Sequence, residues 1–230
     1  ENANFTINPA VPLTVAPTGG TTPSPAGVSS ATDALISITC PGDTFTLQVQ
    51  AQGGGIGAYT YTWSRNGVPV PGLAAANTLN GTSGGIYTVD VSVDVSGLDI
   101  PLGKTAADMI CSTSYSFEVK EPDLMTVREL KDRRIVPGCS DDLATLVFEV
   151  IGGNDNAGPY SLSLQGGALT GTSANATTRE IIISGIDTQN LGTIVNYDVT
   201  DALGCQNATT LTSSITLPSY RDASFQINPT

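Results

Sequence analysis

The stretch YTYTWSRNGVPVPG, Tyr59 to Gly72, decides how the chain is read. It alternates: Tyr59, Tyr61 and Trp63 fall on one face of an extended strand, Thr60, Thr62 and Ser64 on the other. Asn66-Gly67 then turns the chain, because both residues tolerate the positive φ that a two-residue type I′ turn needs. Val68 and Val70 return as a second strand, and Pro71-Gly72 ends it. A β-hairpin carrying the only tryptophan predicts the middle of a sandwich core.

Working outward, composition supports that reading. The 230 residues suit one large domain or two of ordinary size. Charged residues make up only 13%, while Gly (25) and Pro (14) are frequent and helix-forming runs of Ala, Leu, Glu and Lys are absent. That is an all-β profile with uncharged polar surfaces; recurring alternation of Val, Ile, Tyr and Phe argues against disorder. A net charge of −12 and pI near 4.1 exclude a nucleic-acid partner, which needs clustered Lys and Arg, and disfavour anionic membranes. With no His, catalytic triads, imidazole bases and His-ligated metals are excluded. No apolar run approaches the ~18 residues of a membrane span, so no membrane insertion is expected. Residue 1 is Glu and nothing after it reads as a leader, so a signal peptide is expected outside a chain that is a piece of something longer.

The chain repeats internally. Cys40 is followed by PGDTFTLQVQAQGG and Cys139 by SDDLATLVFEVIGG; without gaps these match at Cys, Asp43/Asp142, Thr46/Thr145, Leu47/Leu146 and both Gly-Gly pairs. Each leads to an aromatic strand, Tyr59 to Ser64 or Tyr160 to Leu164. GGIYTVDV (84–91) then echoes VNYDVTD (195–201), and Cys111 and Cys205 close the copies. Two homologous modules of about 110 residues follow. ANFTINPA (3–10) and ASFQINPT (223–230) share five residues at identical spacing, 220 apart, and FTINPAVPLTV (5–15) against FEVKEPDLMTV (117–127) marks the joint. The expected division is module one over 1–119, module two over 120–222, and the start of a further repeat at 223–230.

Expected strands in module one are Thr14 to Val15, Leu35 to Thr39, Thr44 to Ala51, Tyr59 to Ser64, Val68 to Val70, Tyr87 to Val95 and Ser112 to Lys120. Module two gives Leu124 to Val127, Thr145 to Ile151, Tyr160 to Leu164, Arg179 to Ile183, Val195 to Thr200 and Thr210 to Leu217. Short strands at this density, parted by Gly/Pro/Asn turns, predict two tandem immunoglobulin-like β-sandwich modules. One helical turn is expected at Val127 to Arg133. Copy-to-copy differences fall in loops, notably TGGTTPSPAGVSSATD before Cys40 and SGLDIPLGKTAADMI before Cys111.

The four cysteines, Cys40, Cys111, Cys139 and Cys205, occupy equivalent places in the copies, so intramodule bridges Cys40–Cys111 and Cys139–Cys205 are the simplest pairing, with free buried thiols the alternative. Bridges would imply an oxidising compartment. No metal centre or cofactor is expected: CxxC spacing and His are missing, and the scattered Asp99, Asp141, Asp142, Asp155, Asp187 and Asp201 lack calcium-loop spacing. Calcium at a module joint near Glu121 and Asp123 is weighed against solvated carboxylates, and the latter preferred. Arg128, Lys131, Arg133 and Arg134 read as an exposed charged turn balanced by Glu129 and Asp132, with docking on the preceding module as the alternative. Asn-x-Thr at Asn4, Asn80, Asn175 and Asn207 is explained by chance and turn chemistry. Trp63, Tyr59 and Tyr61 could stack on sugar, but the second copy keeps the alternation and loses the Trp at Leu164, which makes packing the better reading. The core anchors are then Trp63, Tyr61, Tyr87, Tyr160 and Tyr197.

These motifs resemble the SprB-type repeat found in tandem in very large surface adhesins of gliding and other Bacteroidota. The carriers are Cys40, Gly53-Gly54, Tyr59 to Trp63, Tyr87 to Val89 and Cys111, and in the second copy Cys139, Gly152-Gly153, Pro159-Tyr160, Tyr197 to Asp201 and Gly204-Cys205. The departures are Leu164 where Trp is expected and the long insertion before Cys111. The resemblance implies an exported, cell-surface repeat protein. The expected function is a non-enzymatic structural or adhesive segment of an extracellular surface protein or fibre, a disulfide-stapled stalk. Its partners would be neighbouring repeats, surface polysaccharide or other cells. The alternatives are a glycan-binding module and an accessory domain of a secreted enzyme.

Overall fold

The computed structural model of the chain describes residues 11–27, 33–54, 58–71, 76–93, 110–135, 143–154, 157–164, 169–172, 177–186, 193–207 and 214–216. Among these every regular element is a strand, and the chain divides into two compact units. The first takes the chain up to Ile38 and from Gly42 to Glu121; the second takes Thr39–Pro41 together with everything from Pro122.

In the first unit the strands are β1 (Thr14–Pro17), β2 (Ala34–Ser37), β3 (Phe45–Gln52), β4 (Tyr59–Arg65), β5 (Val68–Pro69), β6 (Thr78–Gly81), β7 (Gly85–Val93) and β8 (Ser112–Lys120). They form one sheet ordered β1-β3-β6 and another ordered β2-β8-β7-β4-β5. All pairs are antiparallel except β2 on β8, which sets Ala34 beside Phe117 and Ser37 beside Lys120. Alternation decides which face is inside. In β3, Phe45, Leu47, Val49 and Ala51 are buried while the residues between them are not, and β7 buries Tyr87, Val89, Val91 and Val93 in the same way. The hairpin turns at Asn66 (φ 49°) and Gly67 (φ 79°), as a type I′ turn requires.

The second unit comprises β9 (Asp123–Glu129), β10 (Ala144–Gly153), β11 (Ser161–Leu164), β12 (Leu169–Thr172), β13 (Glu180–Ile186), β14 (Ile194–Thr200) and β15 (Ser214–Thr216). Its sheets are ordered β9-β10-β13 and β12-β11-β14-β15. Among the described residues this repeats the first unit apart from β2, which has no counterpart: β10 stands for β3, β11 for β4, β14 for β7 and β15 for β8. Two sheets with this strand order, antiparallel apart from the β2–β8 pair and each with one buried face, are the immunoglobulin-like sandwich.

The Gly-Gly pairs show the repetition at atomic level. Gly53 and Gly152 both have φ 81°, and a Cβ on either would lie 2.1 Å from the Pro12 carbonyl oxygen or 2.2 Å from that of Leu124. The neighbouring edge strand thus passes so close that only glycine fits, in both copies. An isolated bridge recurs too, Thr22 on Thr46 and Ile135 on Thr145.

Three expectations need correction. Val127 to Arg133 is not helical: β9 runs to Glu129, and a turn closed by the Arg133 N–H on the Leu130 carbonyl (3.0 Å) follows. Strands β6 and β12 lie where turns were expected. TLNG and LTGT carry Asn or Gly, which read as turn residues, yet all four residues of each pair with a neighbouring strand, β3 or β11. Aligning Tyr87 with Tyr197 is also off by two residues. Pairing sets Val89 opposite Trp63 and Tyr197 opposite Leu164, so Tyr197 is the counterpart of Val89. The segment 223–230 lies outside the described residues.

Candidate functional site

The five core anchors singled out in the sequence are all buried; Tyr59 is half-buried, its hydroxyl donating to the Gly53 carbonyl at 3.0 Å. Trp63 is 1% exposed; its indole N–H donates to the Ala76 carbonyl at 2.9 Å and its ring stacks on Phe117 at 6.2 Å between centroids. Tyr61 and Tyr87 are buried beside it, and Phe45 meets the Tyr87 ring edge-on at 5.4 Å. The Tyr87 hydroxyl donates to the Ser83 carbonyl (2.7 Å) and Arg65 lies over its ring. Burial raises the Tyr87 phenol above its ordinary range, Arg65 opposing and Glu121 reinforcing; burial, then Asp33, raises Tyr115 likewise. In the second unit Tyr160 is buried under Arg179, and Tyr197 is buried with its hydroxyl accepting from the Val127 N–H at 3.3 Å. A sugar-stacking platform needs an exposed ring face, and the five buried rings have none to offer.

The cysteines depart from the repeat. Cys40 is bonded to Cys205, with Cα atoms 5.2 Å apart, and Cys111 is a free, exposed thiol. The expected Cys40–Cys111 bridge is overturned, and with it Cys139–Cys205; Cys139 lies outside the described residues. The parallel register of β2 on β8 explains why. It sets Ser37 beside Lys120, so Cys40 falls past the end of β8, while Cys111 precedes its start. Nine residues at ~3.3 Å each separate the two ends, against the ~7 Å limit for bridged Cα atoms. Instead Thr39–Pro41 packs with the second unit. The Asn154 side-chain amide donates to the Thr39 carbonyl at 2.5 Å, and Cys205, 2% exposed, joins that unit's core with Cys40 against it. The DALGC turn presents Cys205: Asp201 Oδ1 accepts from the N–H groups of Leu203 and Cys205, both at 2.9 Å, and Gly204 adopts φ 86°.

Charged residues serve local structure. Arg128 pairs with Glu149, Arg133 with Glu180, and Arg134 with Glu129 at 3.6 Å, all within the second unit. The three arginines of the basic cluster therefore have partners within the unit; Glu129 is among them, as expected, while Glu149 and Glu180 were not foreseen. The Glu121 carboxylate braces the first unit, accepting from Gly42 N–H (2.9 Å) and Gly84 N–H (2.6 Å). Asp201 is a buried turn residue, and Asp99, Asp141, Asp142, Asp155 and Asp187 lie outside the described residues. Among the described residues no three Cys, Asp or Glu side chains gather as metal ligands would. Asn207 is 7% exposed and bonded to the β14 backbone, which leaves it unavailable for glycosylation; Asn80 is exposed.

The surface that remains is a field of hydroxyls. On the outward face of β4, β7 and β8, cross-strand pairing makes three ranks: Thr60, Ser92 and Ser112; Thr62, Asp90 and Ser114; Ser64, Thr88 and Ser116. Eight of nine positions are Ser or Thr, spaced ~4.8 Å across strands and ~6.7 Å along them. Within it Thr88 and Ser116 are 3.0 Å apart, hydroxyl to hydroxyl. The second unit repeats the theme, setting Ser163 beside Asp198 and Thr170, and Ser161 beside Thr200. Asp198 takes the place of Asp90. A face of this kind can donate and accept hydrogen bonds without charge matching. Sequence reasoning passed over it, although the polar half of the alternation that identified the strands was its signal.

No family model matches the chain, and no curated protein matches it. Among solved structures it is similar to one described as structural insight into host cell surface retention of a 1.5-MDa bacterial ice-binding adhesin, at 16% identity and TM-score 0.39, over 96% of this chain and 68% of that one. It is similar also to the N-terminal eight immunoglobulin domains of Down syndrome cell adhesion molecule (13%, TM-score 0.39; 81% of this chain, about a quarter of that one at 26%). The fibronectin(III)-like modules of Clostridium thermocellum CbhA match at 9% and TM-score 0.32, over 94% of this chain and 100% of theirs.

Proposed function

We propose that the chain is a non-enzymatic, load-bearing and adhesive segment of a repetitive extracellular surface protein, of the SprB-type repeat class its motifs resemble. The observation that carries this reading is the Cys40–Cys205 bridge, packed on the core of a doubly repeated sandwich, since a structural disulfide belongs to oxidising surroundings. The buried core aromatics and the arginine ion pairs within the second unit support it: the conspicuous side chains serve packing and local structure. Partners in this reading are neighbouring repeats, surface polysaccharide or other cells. Labelling intact source cells with a membrane-impermeant amine reagent should tag Lys120 or Lys131, both exposed. Labelling only after lysis overturns the surface assignment.

A second reading, glycan binding, is favoured by the hydroxyl field around Asp90 and Asp198. Carboxylate and hydroxyl neighbours are the groups that grip a neutral polyol. Glycan-array binding that disappears in D90N/D198N while melting is unchanged would establish it; a blank array removes it.

A further inference from the structure

The Cys40–Cys205 bond spans a sequence separation of 165 and so encloses most of the molecule. Of the fifteen strands among the described residues, only β1 and β2 precede it and only β15 follows it; β3 to β14 lie inside the closed loop. Tension applied along the chain takes the shortest covalent route. It enters through β1 and β2, crosses from sulfur to sulfur, and leaves through β15.

We infer that this bond is a force bypass, a covalent shortcut that takes the chain between Cys40 and Cys205, and with it most of both sandwich cores, off the line of tension and hides its length until it is reduced; only Ala34, Ile36 and Ile38 of the first core stay on the route. The inference deepens the load-bearing role above by naming the bond that carries the load, and it rests on that reading only for its physiological meaning. The core of each unit is held by strands inside the loop, among them β3, β4 and β7 in the first and β10, β11 and β14 in the second. Pulling the ends can strip β1 from β3, β2 from β8 and β15 from β14, but cannot extend what lies between Cys40 and Cys205. A bridge confined to each module would behave otherwise, leaving the joint between modules on the load path.

Release is a thiol–disulfide exchange. A dithiol reductant attacks one sulfur as thiolate, the S–S bond breaks, and after the second exchange both cysteines are thiols and the reductant is itself a disulfide, with two electrons and two protons transferred. Access is restricted: Cys205 is 2% exposed, and its sulfur sits 3.3 Å from the Thr39 carbonyl oxygen. The exposed Cys111 lies within the loop and takes no part in the route.

The test is single-molecule stretching of the 230-residue chain held by its two ends, with and without dithiothreitol. The route comprises the 40 residues up to Cys40 and the 26 from Cys205 onward. At up to ~3.6 Å per residue the oxidised chain should stop at roughly 240 Å after every unfolding event, and the reduced chain at roughly 830 Å. C111S should leave the oxidised limit unchanged. An oxidised limit near 340 Å would mean Cys40–Cys111 and Cys139–Cys205 pairing and would overturn the inference. A limit that reductant does not move would overturn it as well. Because wild-type protein with reductant supplies the opened state, no variant needs to fold for the result to count, and because the readout is length, failure here is separate from failure of cell-surface labelling.

Discussion

The two units are one sandwich written twice, and what differs is where the bulk sits. In the first, Trp63 faces Val89 across β4 and β7; in the second, Leu164 faces Tyr197 across β11 and β14. The large partner has changed strands. Phe45 of β3 becomes Ala144 in β10, and Val49 becomes Phe148, by the gapless alignment of the copies. All of these residues are buried, so each core is filled, with the aromatic mass moved along the sandwich. Close packing constrains the sum of volumes at facing positions more tightly than any single residue. The backbone devices behave oppositely: the first glycine of each Gly-Gly pair is identical in φ and abuts a carbonyl in both copies, because a carbonyl two ångströms from a would-be Cβ has no compensating partner.

The comparison can be broken most strongly at the cysteines. C205S should cost about 5 kcal/mol on the chain-entropy account, since the loop is long. The loss should appear in the second unit, whose core holds Cys205. Trp63, the sole tryptophan, reports the first unit alone, so the circular-dichroism transition should fall while the tryptophan transition moves less. Coincident falls of equal size would refute that assignment.

Next come the glycines. G53A and G152A should each cost about 2 kcal/mol or more, in matching amounts, because each forces a Cβ onto backbone at positive φ. Stability losses from urea unfolding that differ by more than about 1 kcal/mol between the two would show the copies are not equivalent there.

The exchange of bulk is sharper still as a question. W63L should cost about 2 to 4 kcal/mol through cavity and lost indole hydrogen bond, and V89Y about 1 to 3 through overpacking. Together they rebuild the second unit's pair within the first. The double variant should be more stable than the sum predicts by about 1 kcal/mol or more. Strict additivity would mean the pairs are not complementary.

The smallest effect expected is alkaline. Tyr87 and Tyr115 of the first unit have phenols raised by burial. A raised folded value gives stability that is complete below the ordinary tyrosine range near pH 10 and is lost as pH rises through the folded value. Tryptophan-monitored melts should therefore weaken from pH 10 upward, and Y87F should blunt the slope; an unchanged slope would remove Tyr87 from the account.

Most strand positions were legible because alternation and turn chemistry are local: YTYTWSRNG states its hairpin outright. β6 and β12 were not, since four-residue strands containing Asn or Gly owe their conformation to the neighbours they pair with. The offset of Tyr197 was hidden for a similar reason, as matching aromatic letters favours identity where packing conserves volume. The disulfide was hidden by symmetry. Equivalent cysteines suggest equivalent bonds, yet the parallel seating of β2 carries Cys40 to the far end of β8 from Cys111, and no spacing in the sequence records that.

That bond is also where the account is most exposed. Proteolysis of the unreduced chain after alkylation, followed by mass spectrometry, should yield one cross-linked pair containing Cys40 and Cys205, with Cys111 alkylated. Peptides joining Cys40 to Cys111 and Cys139 to Cys205 would contradict it.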